Sequence, residues 1–285
     1  MSAHSAITRP ALRWYGGKWR IAPWVIAHFP PHFCYVEPFC GGASVLLRKA
    51  PSKLEWINDR SADVVNFFQV LRDRRQDLVA AIDLTPFSRR ELLLSYEPCD
   101  DSIEKARRFF VRCWQARAGD RAGNTGWRTE KSPGRGRSVL QDWCNIGHLV
   151  AVAERLKLVG IECDCAFNIL PRFDGPDTLF YVDPPYLGDT RSHRWDKAYR
   201  HELHSHEDHE RLAVALHSLS GMVVLSGYPS DLYCDLFSDW MCVGRRSKTD
   251  VSYGEERLWL NPAAATAVRQ LTLHPPALVG ARASA

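Results

Sequence analysis

Short apolar runs alternate with turns rich in glycine, proline and aspartate along much of this chain. Residues 34–37, 54–57, 178–182 and 222–225 read as strands, and 161–165 alternates apolar and polar as a half-buried strand does. The run 178–182 is apolar on both faces, as a central parallel strand is. Helical periodicity fills the gaps at 61–82, 102–115, 140–159 and 205–219, the last opening with the capping pair Ser205 and Asp208. Two late runs, 240–246 and 257–261, read as an antiparallel hairpin. Strand and helix in alternation predict an α/β fold with a mainly parallel sheet.

The polar residues that interrupt this pattern are where chemistry is expected. After 178–182 the chain reads Asp183-Pro184-Pro185-Tyr186. Two prolines have no N–H to donate and fixed φ angles, so the strand must end there. Asp183 and Tyr186 then stand at the carboxyl end of a strand, the edge at which open α/β sheets bind ligands. The carbonyls of Pro184 and Pro185 are left to accept from a ligand. The first strand runs into Pro38-Phe39-Cys40-Gly41-Gly42-Ala43-Ser44 and a short helix at 45–49. Strand, glycine turn, helix opens a nucleotide-binding unit, although the G-x-G-x-x-G spacing of dinucleotide enzymes is missing. Asp59 ends the second strand about twenty residues after the glycines, where an acid grips ribose hydroxyls. Ser61 is the better helix cap, leaving Asp59 free. Upstream, Arg13-Trp14-Tyr15-Gly16-Gly17-Lys18-Trp19 is either a plain glycine turn before a helix reaching His28 or a cofactor loop with Trp14 as a stacking lid.

Composition narrows the class. The chain has 285 residues, 45% of them hydrophobic and 25% charged, as an ordinary globular protein has. No apolar run approaches the roughly 20 residues that span a bilayer, and residues 1–10 lack a signal pattern, so an intracellular, cytoplasmic protein is expected. Nine cysteines at scattered spacing read as reduced, mostly buried thiols. The histidines at 201, 204, 206 and 209 lack the H-E-x-x-H arrangement, and no metal is expected. Net charge is only +4. Yet residues 107–137 hold nine basic residues against two acids, an excess of seven. Arginine and lysine interleaved with Trp127 suit phosphate and base contact. Arg117, Arg121, Trp127, Arg128, Lys131, Arg135 and Arg137 are therefore the candidate DNA-binding residues.

Four of these stretches, in this order, resemble the D12-class, Dam-like DNA adenine-N6 methyltransferases of the α class. They are Arg13-Trp-Tyr-Gly-Gly-Lys18, Glu37-Pro-Phe-Cys-Gly-Gly-Ala-Ser44, Asn58-Asp59 and Tyr181-Val-Asp-Pro-Pro-Tyr186. The resemblance spans about residues 12–262. It implies a Rossmann-like sheet with a terminal antiparallel hairpin and an inserted, mainly helical target-recognition lobe. The catalytic domain would comprise 12–84 and 146–262, the lobe 85–145, with a flexible start at 1–11 and a loose tail at 263–285.

By the same resemblance, S-adenosyl-L-methionine is the cofactor, held by Trp14, Lys18, Glu37, Phe39, Gly41, Asp59 and Asp183. Asp183, Pro184, Pro185 and Tyr186 would clamp an adenine flipped out of double-stranded DNA. Asp183 and the Pro184 carbonyl would accept from its amino group while Tyr186 stacks on the ring. Two departures stand out. Ala43 replaces a frequent glycine, a small cost if φ is negative there. Asp164 is one position early for the acid that relatives carry at Cys165, which on a strand turns it to the other face. A cytosine-N4 or RNA amino-methyltransferase and a non-catalytic DNA-binding module are the alternatives. A monomer of bacterial or phage origin is expected, with a cognate restriction endonuclease left open as a partner.

Overall fold

The structure, a computed structural model, describes residues 7–117, 126–130, 138–186, 203, 205–248 and 253–273. Five parallel strands form its frame: β1 (Cys34–Glu37), β2 (Leu54–Asn58), β3 (Val159–Glu162), β4 (Thr178–Val182) and β5 (Met222–Gly227). Two longer strands, β6 (Met241–Lys248) and β7 (Tyr253–Leu260), complete the sheet in the order β3-β2-β1-β4-β5-β7-β6. β7 runs antiparallel to both of its neighbours. This is the Rossmann-like methyltransferase sheet, mostly parallel with an antiparallel end.

The alternation of side chains along the strands feeds two cores. Tyr35, Leu179, Tyr181, Met222, Val224, Leu258 and Leu260 point to one face, under α2 (Ala62–Asp73), α3 (Arg75–Asp83), α5 (Ser102–Gln115) and α7 (His148–Leu156). Val36, Phe180, Val182, Val223, Leu225 and Trp259 point to the other, under α8 (Ala166–Arg172), α9 (His206–His217) and α10 (Asp231–Leu236). β4 and β5 are buried along their whole length, as their unbroken apolar runs require. The buried residues of α5 belong to the same cluster as those of α2, so the 85–145 segment shares its core with the sheet.

Several elements differ from the sequence expectation. The helix expected at 61–82 is two helices, broken at Arg74, whose φ of −126° and ψ of 38° are not helical. The 140–159 helix is likewise α6 (Val139–Cys144) and α7, separated by Asn145–Gly147. Residues 45–49 form successive turns and not a regular helix. The third strand lies two residues earlier than expected, and Cys165 caps α8, which the periodicity did not reveal. Nor did it reveal α4 (Arg89–Leu94), capped by Ser88.

Two segments expected to be loose, within 7–12 and 262–273, are ordered. Ala11 and Leu12 are buried, and Arg9 stacks over Trp114 while bonding the Asn145 carbonyl at 2.6 Å. Residues 262–273 form α11 (Pro262–Leu273), whose Ala264 N–H donates to the Asn261 side chain at 2.9 Å. Of the nine cysteines, all free, only Cys34, Cys40 and Cys113 are buried, and four are exposed.

β6 and β7 keep pairing beyond the point where β5 ends. Gly227 is opposite Arg257, and the hairpin adds four further pairs, from Arg245–Glu256 to Lys248–Tyr253. At about 3.3 Å per residue that is an arm of roughly 13 Å past the carboxyl edge of the parallel strands.

Candidate active site

Strand order reverses between β1 and β4, which pair directly while their following elements diverge. That switch point opens a crevice at the carboxyl ends of both strands. The turn after β1 and the Asp183-Pro-Pro-Tyr186 segment after β4 are its two walls.

On the β1 side the turn is held from below and from the side. Glu37 is buried, and its carboxylate accepts from the Tyr35 hydroxyl at 2.5 Å and from the Leu46 N–H at 2.7 Å. Burial pushes its pKa up to about 7, against the pull of those hydrogen bonds. Glu37 thus anchors the turn through the Leu46 N–H. Gly41 has φ of +47°, and a Cβ there would lie 2.4 Å from the indole nitrogen of Trp14. Only glycine fits this approach. Trp14 packs on the turn with Phe109 behind it, ring centroids 6.1 Å apart. Phe39 lies half-buried beside the second core.

Two expectations for this wall need correction. Ala43 has φ of +48° and is fully buried, so the alanine sits in the left-handed region and strains the backbone. Asp59 is not free. Its Oδ2 accepts from the Gly41 N–H and its Oδ1 from the Ser61 N–H, each at 2.9 Å, while Ser61 makes no side-chain cap. Asp59 therefore ties the end of β2 to the glycine turn. Asn58 does the same for β3: its amide donates to the Pro38 and Asp164 carbonyls, and its Oδ1 accepts from the Asp164 N–H. The Asp164 carboxylate turns to Asn168 and Arg172 on α8.

On the β4 side, charges converge. Asp183 Oδ1 accepts from Lys18 Nζ at 2.8 Å and from the Ser226 hydroxyl at 2.9 Å. The Lys18 ammonium also donates to the Gly16 carbonyl at 3.0 Å, lies 3.7 Å from Glu256, and sits 4.6 Å from the Tyr186 ring centroid. Burial alone would lower the Lys18 pKa, but Asp183 and Glu256 outweigh it and hold the amine charged. The Tyr186 hydroxyl donates to Glu256, and its ring meets Tyr228 edge-on, centroids 4.6 Å apart. Burial pushes both the Tyr186 phenol and the Glu256 carboxyl up.

The crevice thus brings together Trp14, Lys18, Gly41, Asp59, Asp183 and Tyr186, with Pro184 buried and Pro185 half-buried between the last two. Glu256 and Ser226 escaped sequence reasoning. Ser226 was visible as a polar residue at the end of β5. Glu256 carried no signal, because the late strand was expected only from 257 and β7 begins at Tyr253.

The basic segment is partly spent within the fold. Arg107 pairs with Glu104 at 2.6 Å and Glu91 at 2.9 Å, Arg108 with Glu104 at 2.7 Å, and Arg112 with Asp63 at 2.8 Å. Of the candidate DNA contacts, Arg121, Lys131, Arg135 and Arg137 lie outside the described residues. Arg117 and Arg128 bracket a closed loop: the Arg117 N–H donates to the Gly126 carbonyl, and the Arg128 N–H donates to the Gln115 carbonyl. The Arg128 guanidinium reaches Asp142 at 3.3 Å. Trp127 is half-buried against Phe87, centroids 5.1 Å apart, with Arg89 over its ring. Arg13 joins residues 13–17 to the base of this segment through the Ala116 carbonyl at 3.2 Å.

Among the described residues no group of three or more His, Cys, Asp or Glu side chains could hold a metal ion, and no helix is long and apolar enough to cross a membrane. Known proteins are similar to this chain in sequence. The chain is 32% identical over 190 residues to a DNA adenine methylase of Salmonella typhi, covering 62% of this chain and 65% of the relative. It is 28% identical over 102 residues to one of Escherichia coli K12, covering 36% and 34%. It is 31% identical over 71 residues to one of Serratia marcescens, covering 25% and 26%. The matched segments thus span less than two thirds of each relative's length. A family model, D12 class N6 adenine-specific DNA methyltransferase, matches residues 14–250. By that match and by the sheet that carries its motifs, the chain belongs to the D12 class N6 adenine-specific DNA methyltransferase family.

Proposed function

We propose that this protein transfers a methyl group from S-adenosyl-L-methionine to the N6 amino group of an adenine flipped out of duplex DNA. The observation that carries the reading is the placement of Asp183 Oδ1 and Oδ2. Lys18 and Ser226 occupy Oδ1, and among the described residues no group bonds Oδ2. A carboxylate with one oxygen anchored offers the other in a fixed direction, which suits acceptance from an amino N–H.

The β1 wall fits the cofactor. Gly41 brings backbone close without a side chain, and the Gly41 and Ser61 N–H groups fix the Asp59 carboxylate beside that turn, where an acid suits ribose hydroxyls. Gly41, Phe39 and Asp59 would hold the cofactor directly, with Glu37 and Trp14 supporting the turn. When bound, S-adenosyl-L-methionine supplies a methyl group activated by its sulfonium, so the protein need provide no nucleophile.

Around the target base, the chain's own residues orient and neutralise. Asp183 and the Pro184 carbonyl accept the two N6 hydrogens, which localises the lone pair on N6 and directs it toward the methyl group. Tyr186 offers the ring face opposite Lys18 for stacking. Lys18, Asp183 and Glu256 together carry one more carboxyl than ammonium, so positive charge arising on N6 is stabilised. The proton shed from N6 passes to Asp183 and then to solvent.

Duplex DNA would lie across the loop that Arg117 and Arg128 close, and along the β6–β7 arm, where Arg245 and Arg246 are exposed. Residues 85–145 read as the target-recognition lobe, built on the sheet's own core. The bacterial relatives fit a cytoplasmic enzyme acting on chromosomal or phage DNA.

The test is tritiated methyl transfer to duplexes with and without adenine. Wild type is expected to label only the adenine-containing duplex. Asp183→Ala is expected to lose at least about a thousandfold in kcat. Equal labelling of both duplexes, or a normal rate in Asp183→Ala, overturns the reading.

A further inference from the structure

Among the buried groups outside the four sequence motifs, Glu256 touches both Lys18 and Tyr186. It lies near the start of β7, the strand that runs opposite to β5, so the beginning of β7 reaches the edge where the parallel strands end. Glu256 is 5% exposed. Its Oε1 accepts the Tyr186 hydroxyl and lies 3.7 Å from Lys18 Nζ. Those two contacts bear on the two working parts of the clamp. Tyr186 offers the stacking face, and Lys18 fixes Asp183 Oδ1. A buried carboxylate is costly without such partners, and no packing role requires a charge at this position.

We propose that Glu256 is the positioning residue of the adenine clamp, locking the Tyr186 ring through its phenol and the Asp183 carboxylate through Lys18. It does not touch the reacting atoms. It sets the direction of the groups that do, and a small misplacement of those groups is enough to cost a large factor in rate. This deepens the adenine-N6 reading and rests on it.

The groups facing Glu256 come from four elements. Lys18 comes from the loop before α1 (Ala22–Ile26), Asp183 and Tyr186 from the segment after β4, Tyr228 from the end of β5, and Tyr181 from within β4. Arg245 is its cross-strand partner in register on β6. Burial raises the Glu256 carboxyl, and the cation of Lys18 opposes that. Protonation of Glu256 would release Lys18 from one of its two carboxylates.

Two variants of Glu256 and one of Tyr186 separate positioning from folding. Glu256→Gln keeps an acceptor for the Tyr186 phenol and loses the charge that faces Lys18. Its kcat is expected to fall about tenfold, with KM for duplex DNA and for S-adenosyl-L-methionine changed by less than about threefold. Glu256→Ala loses both contacts, and its kcat is expected to fall about a hundredfold. Tyr186→Phe keeps the ring and removes the hydroxyl, and it should fall between wild type and Glu256→Ala.

The kcat–pH profile adds a readout that a purely structural role would not move: one ionisation on the acid side should vanish in Glu256→Gln. If both Glu256 variants fold with wild-type melting temperature and keep wild-type kcat and pH profile, the proposal falls. It also falls if their loss of rate is matched by loss of folded protein and disappears when rate is expressed per folded molecule. Should wild type itself transfer no methyl group to adenine, the adenine reading fails first, independently of Glu256.

Discussion

Around the end of β4, one ammonium and two carboxylates crowd together: Lys18 with Asp183 and Glu256. Along α5, three guanidiniums meet three carboxylates: Arg107, Arg108 and Arg112 with Glu91, Glu104 and Asp63. The second cluster balances, with Glu104 on α5 itself and Glu91 and Asp63 reaching it from α4 and α2. Thr85 and the Ser95 carbonyl take further guanidinium hydrogens. The first cluster does not balance, and it faces a crevice. Paired charges in the helices hold elements together, whereas the set at the sheet edge carries one more carboxyl than ammonium. Changes at the edge should therefore appear in rate, and changes in the helices in stability.

The sharpest way to break that contrast is Asp183→Asn. It keeps the shape and removes the charge, and kcat should fall by at least about a thousandfold, some 4 kcal/mol of transition-state stabilisation. Unfolding free energy should change by only about 1 kcal/mol, since Glu256 still faces Lys18. A variant that unfolds and keeps its rate per folded molecule would erase the distinction.

Glu37 carries a charge effect of its own beneath the turn. Its pKa is raised to about 7, so between its ordinary value and 7 the folded protein keeps a proton that the unfolded chain has released. Stability therefore falls as pH rises through that window, by up to about 3 kcal/mol. His148, held down to about 4 by burial, slopes the other way. The difference between wild type and Glu37→Gln isolates the glutamate: denaturant titrations at pH 5 and 7.5 should show a flatter profile in the variant. An unchanged difference would mean that the carboxyl is not held up.

Arg107→Met tests the helices. Glu91 and Glu104 lose a shared, mostly buried partner, and unfolding free energy should drop by about 2 kcal/mol. The kcat per folded molecule should stay within about twofold of wild type. A large loss of rate would show that the helical charges also serve the reaction. The smallest effect belongs to Ala43→Gly. Relief of the left-handed strain, about 1 kcal/mol, is partly offset by the freer unfolded chain. The expected net gain is about 0.5 kcal/mol, read from the chemical-denaturation midpoint, and a loss above about 1 kcal/mol would contradict the strain.

These contrasts explain what the sequence could and could not disclose. Asp183-Pro-Pro-Tyr186 and the Gly41 turn were legible because strand, breaker and glycine are local signals, and their order fixes the sheet edge on which they lie. The charge excess of residues 107–137 was counted correctly and read too generously. Glu91 and Asp63 lie outside that window, and only the packing of α4 and α2 against α5 brings them to Arg107 and Arg112. The left-handed Ala43 was illegible because alanine itself favours negative φ, and the turn overrides it. Asp59 read as free because Ser61 looked the better cap, yet the backbone of the glycine turn claimed it. Glu256 was out of reach for a different reason: the late strand was expected to begin at 257, which left Glu256 in the connection before it, whereas β7 begins at Tyr253 and carries it to the site.

The late place of β7 in the chain has a consequence for how the protein comes to life on the ribosome. A growing chain exposes Asp183 and Tyr186 well before it exposes Glu256, and β1, β2 and β4 are all made before β7. A partly made chain can therefore pair its parallel strands while the Tyr186 phenol still lacks its acceptor. The last-made of the described strands, β7, brings that acceptor, so a chain ended before it would lack the Tyr186–Glu256 contact.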